Sequence, residues 1–156
     1  MSITVSRLAR VTGDDPMVRR PPVVSAAREL LGTARHDLAK AAATTVATER
    51  YAAAHLAALR TAAAVLAVRT RPAATKRPRN VWSMLPQVAP ELTEWAAFFA
   101  AGASKRAAAE AGLSRAVTPR EADDLLRDAQ TFLALVETTL GLDHQPVLPH
   151  LAPRAS

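Results

Sequence analysis

The chain has 156 residues, 36 of them alanine, with 20 Lys+Arg against 14 Asp+Glu and no cysteine. That length suits one domain with a sizeable core. Nearly a quarter alanine with only 4% aromatics argues for close-packed helices and against an all-β or doubly wound α/β fold. The missing cysteine excludes a disulfide scaffold, Cys-ligated zinc, iron–sulfur clusters and thiol catalysis.

The net charge of +6 is unevenly spread. From Arg50 to Pro90 there are seven cationic residues and no acid, whereas from Glu110 to Asp143 seven acids face three arginines. A basic middle and an acidic last helix attract each other within one bundle or between two subunits, and a basic middle also attracts phosphate. Residues 1–10 alternate apolar and polar side chains, unlike a secretory signal. The most apolar window, 52–68, is mostly Ala and is interrupted by His55, Arg60 and Thr61, which argues against a membrane span and for the cytoplasm.

In chain order, residues 1–22 carry Gly13, Asp14, Asp15 and Pro16 and then Arg19, Arg20, Pro21 and Pro22, which reads as a flexible arm. A helical domain is expected over 23–142. Its first helix spans about 24–44, with Ser25 as cap and Leu30, Leu31, Ala34, Leu38 and Ala41 on one stripe. Thr48 is placed to cap a second, central helix over 49–69, whose stripe of Tyr51, Ala54, Ala58, Ala62, Val65 and Leu66 lets a neighbour approach closely. Residues 70–80 are rich in Pro and Arg and read as a loop.

Asn80 suits the cap of a short helix over 81–88, limited by Pro86. Pro90 suits the first turn of a helix over 91–111, which Gly102 ends or bends. Leu85, Val88, Leu92, Trp95 and Phe99 give this region its apolar face. The strongest local signal is Thr118-Pro119-Arg120-Glu121, a capping box. The helix it starts buries Leu125, Ala129, Phe132, Val136 and Leu140 and ends at Gly141. Residues 143–156 read as a Pro-containing tail. The expected fold is all-α, an up-down bundle of four long helices plus a short one.

Arg50 and His55 form Arg-x-x-x-x-His. A His near neutral pKa serves as acid or base toward a 2′-hydroxyl, and Arg stabilises a phosphorane. Five residues set the two side chains roughly 140° apart on an ideal helix, so they converge only if the helix is distorted or a second chain completes the site. The alternative is a His between helices and a solvated Arg. Arg60, Arg69, Arg71, Lys76, Arg77 and Arg79 are candidates for a phosphate-tracking segment, although no aromatic is interleaved for base stacking.

Trp82, Trp95, Phe98 and Phe99 read as core, or as the anchor of a homodimer or partner interface. Phe98 and Phe99 adjoin, so one of them faces outward. Glu121, Asp123, Asp124 and Asp128 include Asp124 and Asp128 on one helix face, but three of the four lie in the first helical turns, where the helix dipole favours carboxylates. They read as capping acids rather than metal ligands, and His144 and His150 match no metal spacing. No Gly-rich phosphate loop, nucleophile elbow or HExxH occurs, so neither metal nor cofactor is expected.

The stretches ERYAAAHLAALRTAAAVLAVR, WAAFFAAGASKRAAAEAG and TPREADDLLRDAQTFLALVETTLGL resemble an actinobacterial subfamily of HEPN domains over about residues 24–142. The resemblance implies a small helical bundle that often dimerises. Several such domains are metal-independent ribonucleases using Arg-x(4–6)-His, usually on a late helix near the dimer axis, and others are binding modules. Here the late helix has Arg120 and Arg127 without a nearby His, and the matching pair is Arg50 and His55. The first expectation is therefore a non-enzymatic module, acting as a homodimer, that binds a protein partner, or RNA or DNA through 50–79. The alternatives are a ribonuclease using Arg50 and His55, or a toxin–antitoxin component.

Overall fold

Two antiparallel helices open the computed structural model, which describes residues 22–70 and 80–143. The expected arm and tail, apart from Pro22 and Asp143, and the 71–79 part of the loop lie outside the described residues. The first helix, α1, is Pro22–Ala43, starting on a proline whose missing N–H costs nothing in a first turn. The second, α2, is Ala47–Arg69. Thr48 does not cap it: the N-cap is Val46, whose side chain makes no bond. Instead Thr44 stitches the turn, its hydroxyl donating to Glu49 at 2.7 Å and accepting from the Val46 amide at 3.2 Å.

The α2 helix is the axis of the bundle. It buries the expected stripe together with His55, Ala57, Thr61 and Ala64. Alanine allows this, because helices on several sides approach a chain of methyl groups more closely than one of branched side chains. By length and composition α2 is long and apolar enough to cross a membrane, contrary to the reading of its sequence, but more than half of that stretch is buried inside the fold. Thr61 within it donates to the Ala57 carbonyl at 2.8 Å.

After the loop, α3 (Val81–Val88) starts on Asn80, whose side chain accepts from the Trp82 amide at 3.0 Å. The helix expected over 91–111 is broken into a 3-10 turn (Pro90–Leu92), α4 (Thr93–Ala101) and α5 (Ala103–Glu110), with the bend at Gly102. Helix α6 (Pro119–Leu140) begins with the expected capping box. The Thr118 hydroxyl accepts from the Glu121 amide at 3.1 Å, and the Glu121 carboxylate accepts from the Thr118 amide at 2.9 Å. The helix stops at Gly141, whose φ of 66° is left-handed and suits glycine.

Ion pairs fix the directions. Arg60 on α2 reaches Asp37 on α1, and Arg69 at the end of α2 reaches Glu91 at 2.5 Å before α4. Arg50 at the start of α2 reaches Asp123 at the start of α6, and Arg35 on α1 reaches Glu137 near its end at 3.1 Å. Helices α1 and α4–α5 thus run opposite to α2 and α6, an up-down all-α bundle with α3 as the short addition. Among the described residues, the basic middle meets the acidic last helix through the ion pair of Arg50 with Asp123. Arg60 and Arg69 are instead neutralised by acids outside α6.

Candidate functional site

At the centre of the bundle, α2 faces α3 and the α4–α5 bend through an aromatic layer. Phe99, 0% exposed, lies between Trp82 and Phe132, each with its ring centroid 5.2 Å away. Trp95 stacks on Phe132 at 5.4 Å. His55 is also 0% exposed and meets Trp82 and Phe99 edge-on, with Tyr51 stacked at 6.4 Å one turn before it.

His55 Nε2 lies 2.8 Å from the Phe99 carbonyl oxygen. A carbonyl only accepts, so Nε2 carries the proton and the neutral ring leaves Nδ1 as an acceptor. That Nδ1 is buried and has no hydrogen-bond partner among the described residues, and neither has the buried Nε of Arg106. Burial pushes the His55 pKa down. The Phe99 carbonyl opposes that shift, the Arg106 charge adds to it, and Glu110 works against it. Burial likewise pushes the Tyr51 hydroxyl up, tempered by Lys105.

Arg50 has different surroundings. Its Nε donates to the Ala41 carbonyl at 2.9 Å and its Nη2 to the Thr44 carbonyl at 2.6 Å, while Nη1 pairs with Asp123. The guanidinium therefore caps the last carbonyls of α1 and ties that end to α6. The structure does not bring Arg50 and His55 together: one is held at the α1–α2 turn, the other in the aromatic layer.

Of the six cationic candidates, Arg60 and Arg69 are within the described residues, and both are paired internally. Arg60 meets Asp37, and Arg69 meets Glu91 and the Val88 carbonyl. Arg71, Lys76, Arg77 and Arg79 lie outside the described residues, as do His144 and His150. Among the described residues, no group of three or more His, Asp or Glu is placed to hold a metal ion. Of the four aromatic candidates, Trp82 and Phe99 are buried and Trp95 half-buried, whereas Phe98 is 46% exposed. Phe98 is thus the outward member of the adjoining pair.

Two features escaped the sequence reading. The first is the tight contact at Gly102, where a Cβ would stand 2.7 Å from the Tyr51 hydroxyl and 3.4 Å from His55 Cδ2. Its φ of −83° is ordinary, so space rather than backbone strain selects glycine here. Gly102→Ala should lower stability by about 1 kcal/mol in urea melts, the net of overpacking against the better helix propensity of alanine. In a Tyr51→Phe background, which removes the obstructing oxygen, the same substitution should become neutral or stabilising. An equal cost in both backgrounds would refute the contact. The second is Lys105, which donates to Glu121 at 2.8 Å and so bridges α5 to the capping box. Nothing local to either residue announces the other.

Residues 41–137, more than half of the chain, match the SAV_6107-like HEPN family. No curated protein and no solved structure matches the chain. The matched span runs from the Arg50-capped turn through the aromatic layer to the last turn of the acidic helix, so it contains Arg50, His55 and the aromatic layer. The chain belongs to the SAV_6107-like HEPN family.

Proposed function

We propose that the protein is a non-enzymatic HEPN-type module that binds a protein partner. The observation that carries this reading is the placement of His55, fully enclosed and holding the Phe99 carbonyl. A general acid or base must come within hydrogen-bond reach of the proton it moves. For an RNA 2′-hydroxyl to reach His55, the aromatic layer would have to open. Arg50, spent on α1 carbonyls and Asp123, supports the same reading. The exposed Phe98 supplies what a partner-binding module needs, an aromatic anchor beside polar groups.

The direct test is incubation of the purified protein with mixed-sequence RNA in EDTA. We expect the RNA to stay intact. Cleavage that disappears in a folded His55→Gln variant would overturn the proposal in favour of the ribonuclease. Homodimerisation is part of the proposal and is read by sedimentation velocity: twice the chain mass supports it, and the single-chain mass at high concentration rejects it. A nucleic-acid contact through Arg71, Lys76, Arg77 and Arg79 is a second reading, favoured by the lack of any acid from Arg50 to Pro90. It requires DNA or RNA binding that weakens steeply with salt and on neutralising Arg77 and Arg79.

A further inference from the structure

A groove of about 300 Å³ lies between the start of α2, the α4–α5 bend and the first half of α6. Tyr51, Phe98 and Leu125 supply its apolar surface, and Lys105, Glu121, Asp124 and Asp128 its charges. Those charges do not balance. Lys105 is taken by Glu121 at 2.8 Å, and Asp124 is engaged by Arg127. Asp128 has no ion-pair partner among the described residues. Partial burial and the neighbouring Asp124 carboxylate push its pKa up, against the lowering effect of the Arg127 charge.

The same groove is lined by Phe98, still 46% exposed in a chain that encloses Phe99 completely. A phosphate would be repelled by the acidic wall. A guanidinium has the complementary chemistry: its planar fork pairs with a carboxylate through two N–H donors, and its face lies on an aromatic ring.

We propose that this groove docks an arginine-bearing segment of a partner protein, with the guanidinium between Asp128 and Phe98 and the partner's apolar side chains on Leu125. This rests on the reading of the chain as a protein-binding module and assigns that module its surface and its partner chemistry.

The test is an NMR titration of the full, isotopically labelled chain with a synthetic peptide of repeating Leu-Ala-Arg, and with the same peptide carrying Gln for Arg. The Arg peptide should shift the amides of Phe98, Leu125 and Asp128, and the Gln peptide should not. Asp128→Asn and Phe98→Ser should each weaken binding about tenfold. Glu94→Gln, a change at an exposed carboxylate of α4 outside the groove, should leave it unchanged. Absence of binding, equal response to both peptides, or equal weakening by Asp128→Asn and Glu94→Gln overturns the assignment. So does an RNA oligonucleotide that shifts the same amides more strongly. Intact RNA in the EDTA assay, together with any of these failures, removes the groove's partner but keeps the binding module. Cleaved RNA removes the module reading itself.

Discussion

Phe99→Ala should lower the stability of the protein by about 4 kcal/mol, while Phe98→Ala, one residue away, should change it by less than about 1 kcal/mol. Phe99 is wholly buried and is the hub of the aromatic layer, with Trp82, Trp95, Phe98, Phe132 and His55 all within 6.1 Å of its ring centroid. Truncation removes the transfer energy of a large side chain and leaves a cavity. The surrounding rings cannot collapse into it without giving up their own stacking. The loss also frees one wall of the His55 site, because the Phe99 ring packs edge-on against the imidazole, while the backbone carbonyl that accepts from Nε2 stays in place.

Set against the roughly 5–15 kcal/mol that holds a domain together, the change should be visible as a melting temperature lower by on the order of 15 °C. Equal effects of the two substitutions in urea or thermal melts would mean that the inward and outward members of the pair have been misassigned.

The elements legible in the sequence are those whose determinants lie within one helical turn of each other. The capping box of α6 needs only Thr118, Pro119 and Glu121, and the α3 cap needs only Asn80 and the Trp82 amide. Gly141 stops α6 in the left-handed conformation that glycine permits. The alanine stripe of α2 is periodic and buries as expected. The exception, Thr48, shows why a local rule fails. The turn before α2 is held by Thr44 and by Arg50 reaching back to the Ala41 and Thr44 carbonyls, and the chain enters the helix at Val46 without a side-chain cap.

The candidate site was less legible, because what decides it is contact between residues far apart in sequence. Arg-x-x-x-x-His spacing records two residue types on one helix. It does not record that Asp123 takes the Arg50 charge across 73 residues, or that a carbonyl 44 residues away takes the His55 proton. The acid-free run from Arg50 to Pro90 likewise suggests free positive charge. The fold answers it with Asp37 on α1 and with Glu91, both outside that run, and two of the six candidate cations become structural. Phe98 was legible only as one of a pair. Which member faces in follows from the rings that meet Phe99 from other helices, His55, Trp82 and Phe132, and none of these is local to the pair.

His55 links stability to pH in a way that tests its burial independently of any activity. Its pKa is lowered in the folded protein, chiefly by desolvation, so the unfolded chain binds the proton more tightly. Stability from this group is therefore fully present above the ordinary histidine pKa of about 6.5 and is lost as the pH falls below it toward the lowered folded value. Over that window the slope is at most about 1.4 kcal/mol per pH unit. Carboxylates whose pKa is lowered, Glu121 by Lys105 and Glu91 by Arg69, lose their contributions only at more acid pH, below the ordinary value of 4.5.

Urea unfolding at descending pH from neutrality should show stability falling in the wild type. His55→Gln keeps a donor for the Phe99 carbonyl but has no titrating ring. It should be less stable at neutral pH by about 1–2 kcal/mol, through lost ring contacts, and flatter across the same window. Parallel slopes in the two proteins would mean that His55 is not held neutral in the fold. The burial on which the non-enzymatic reading depends would then be wrong. A flattened slope ties the acid sensitivity to the imidazole inside the aromatic layer, where protonation charges a ring whose remaining nitrogen has no acceptor among the described residues. Such a histidine is a poor donor or acceptor of protons for a substrate and a good reporter of whether the bundle is closed.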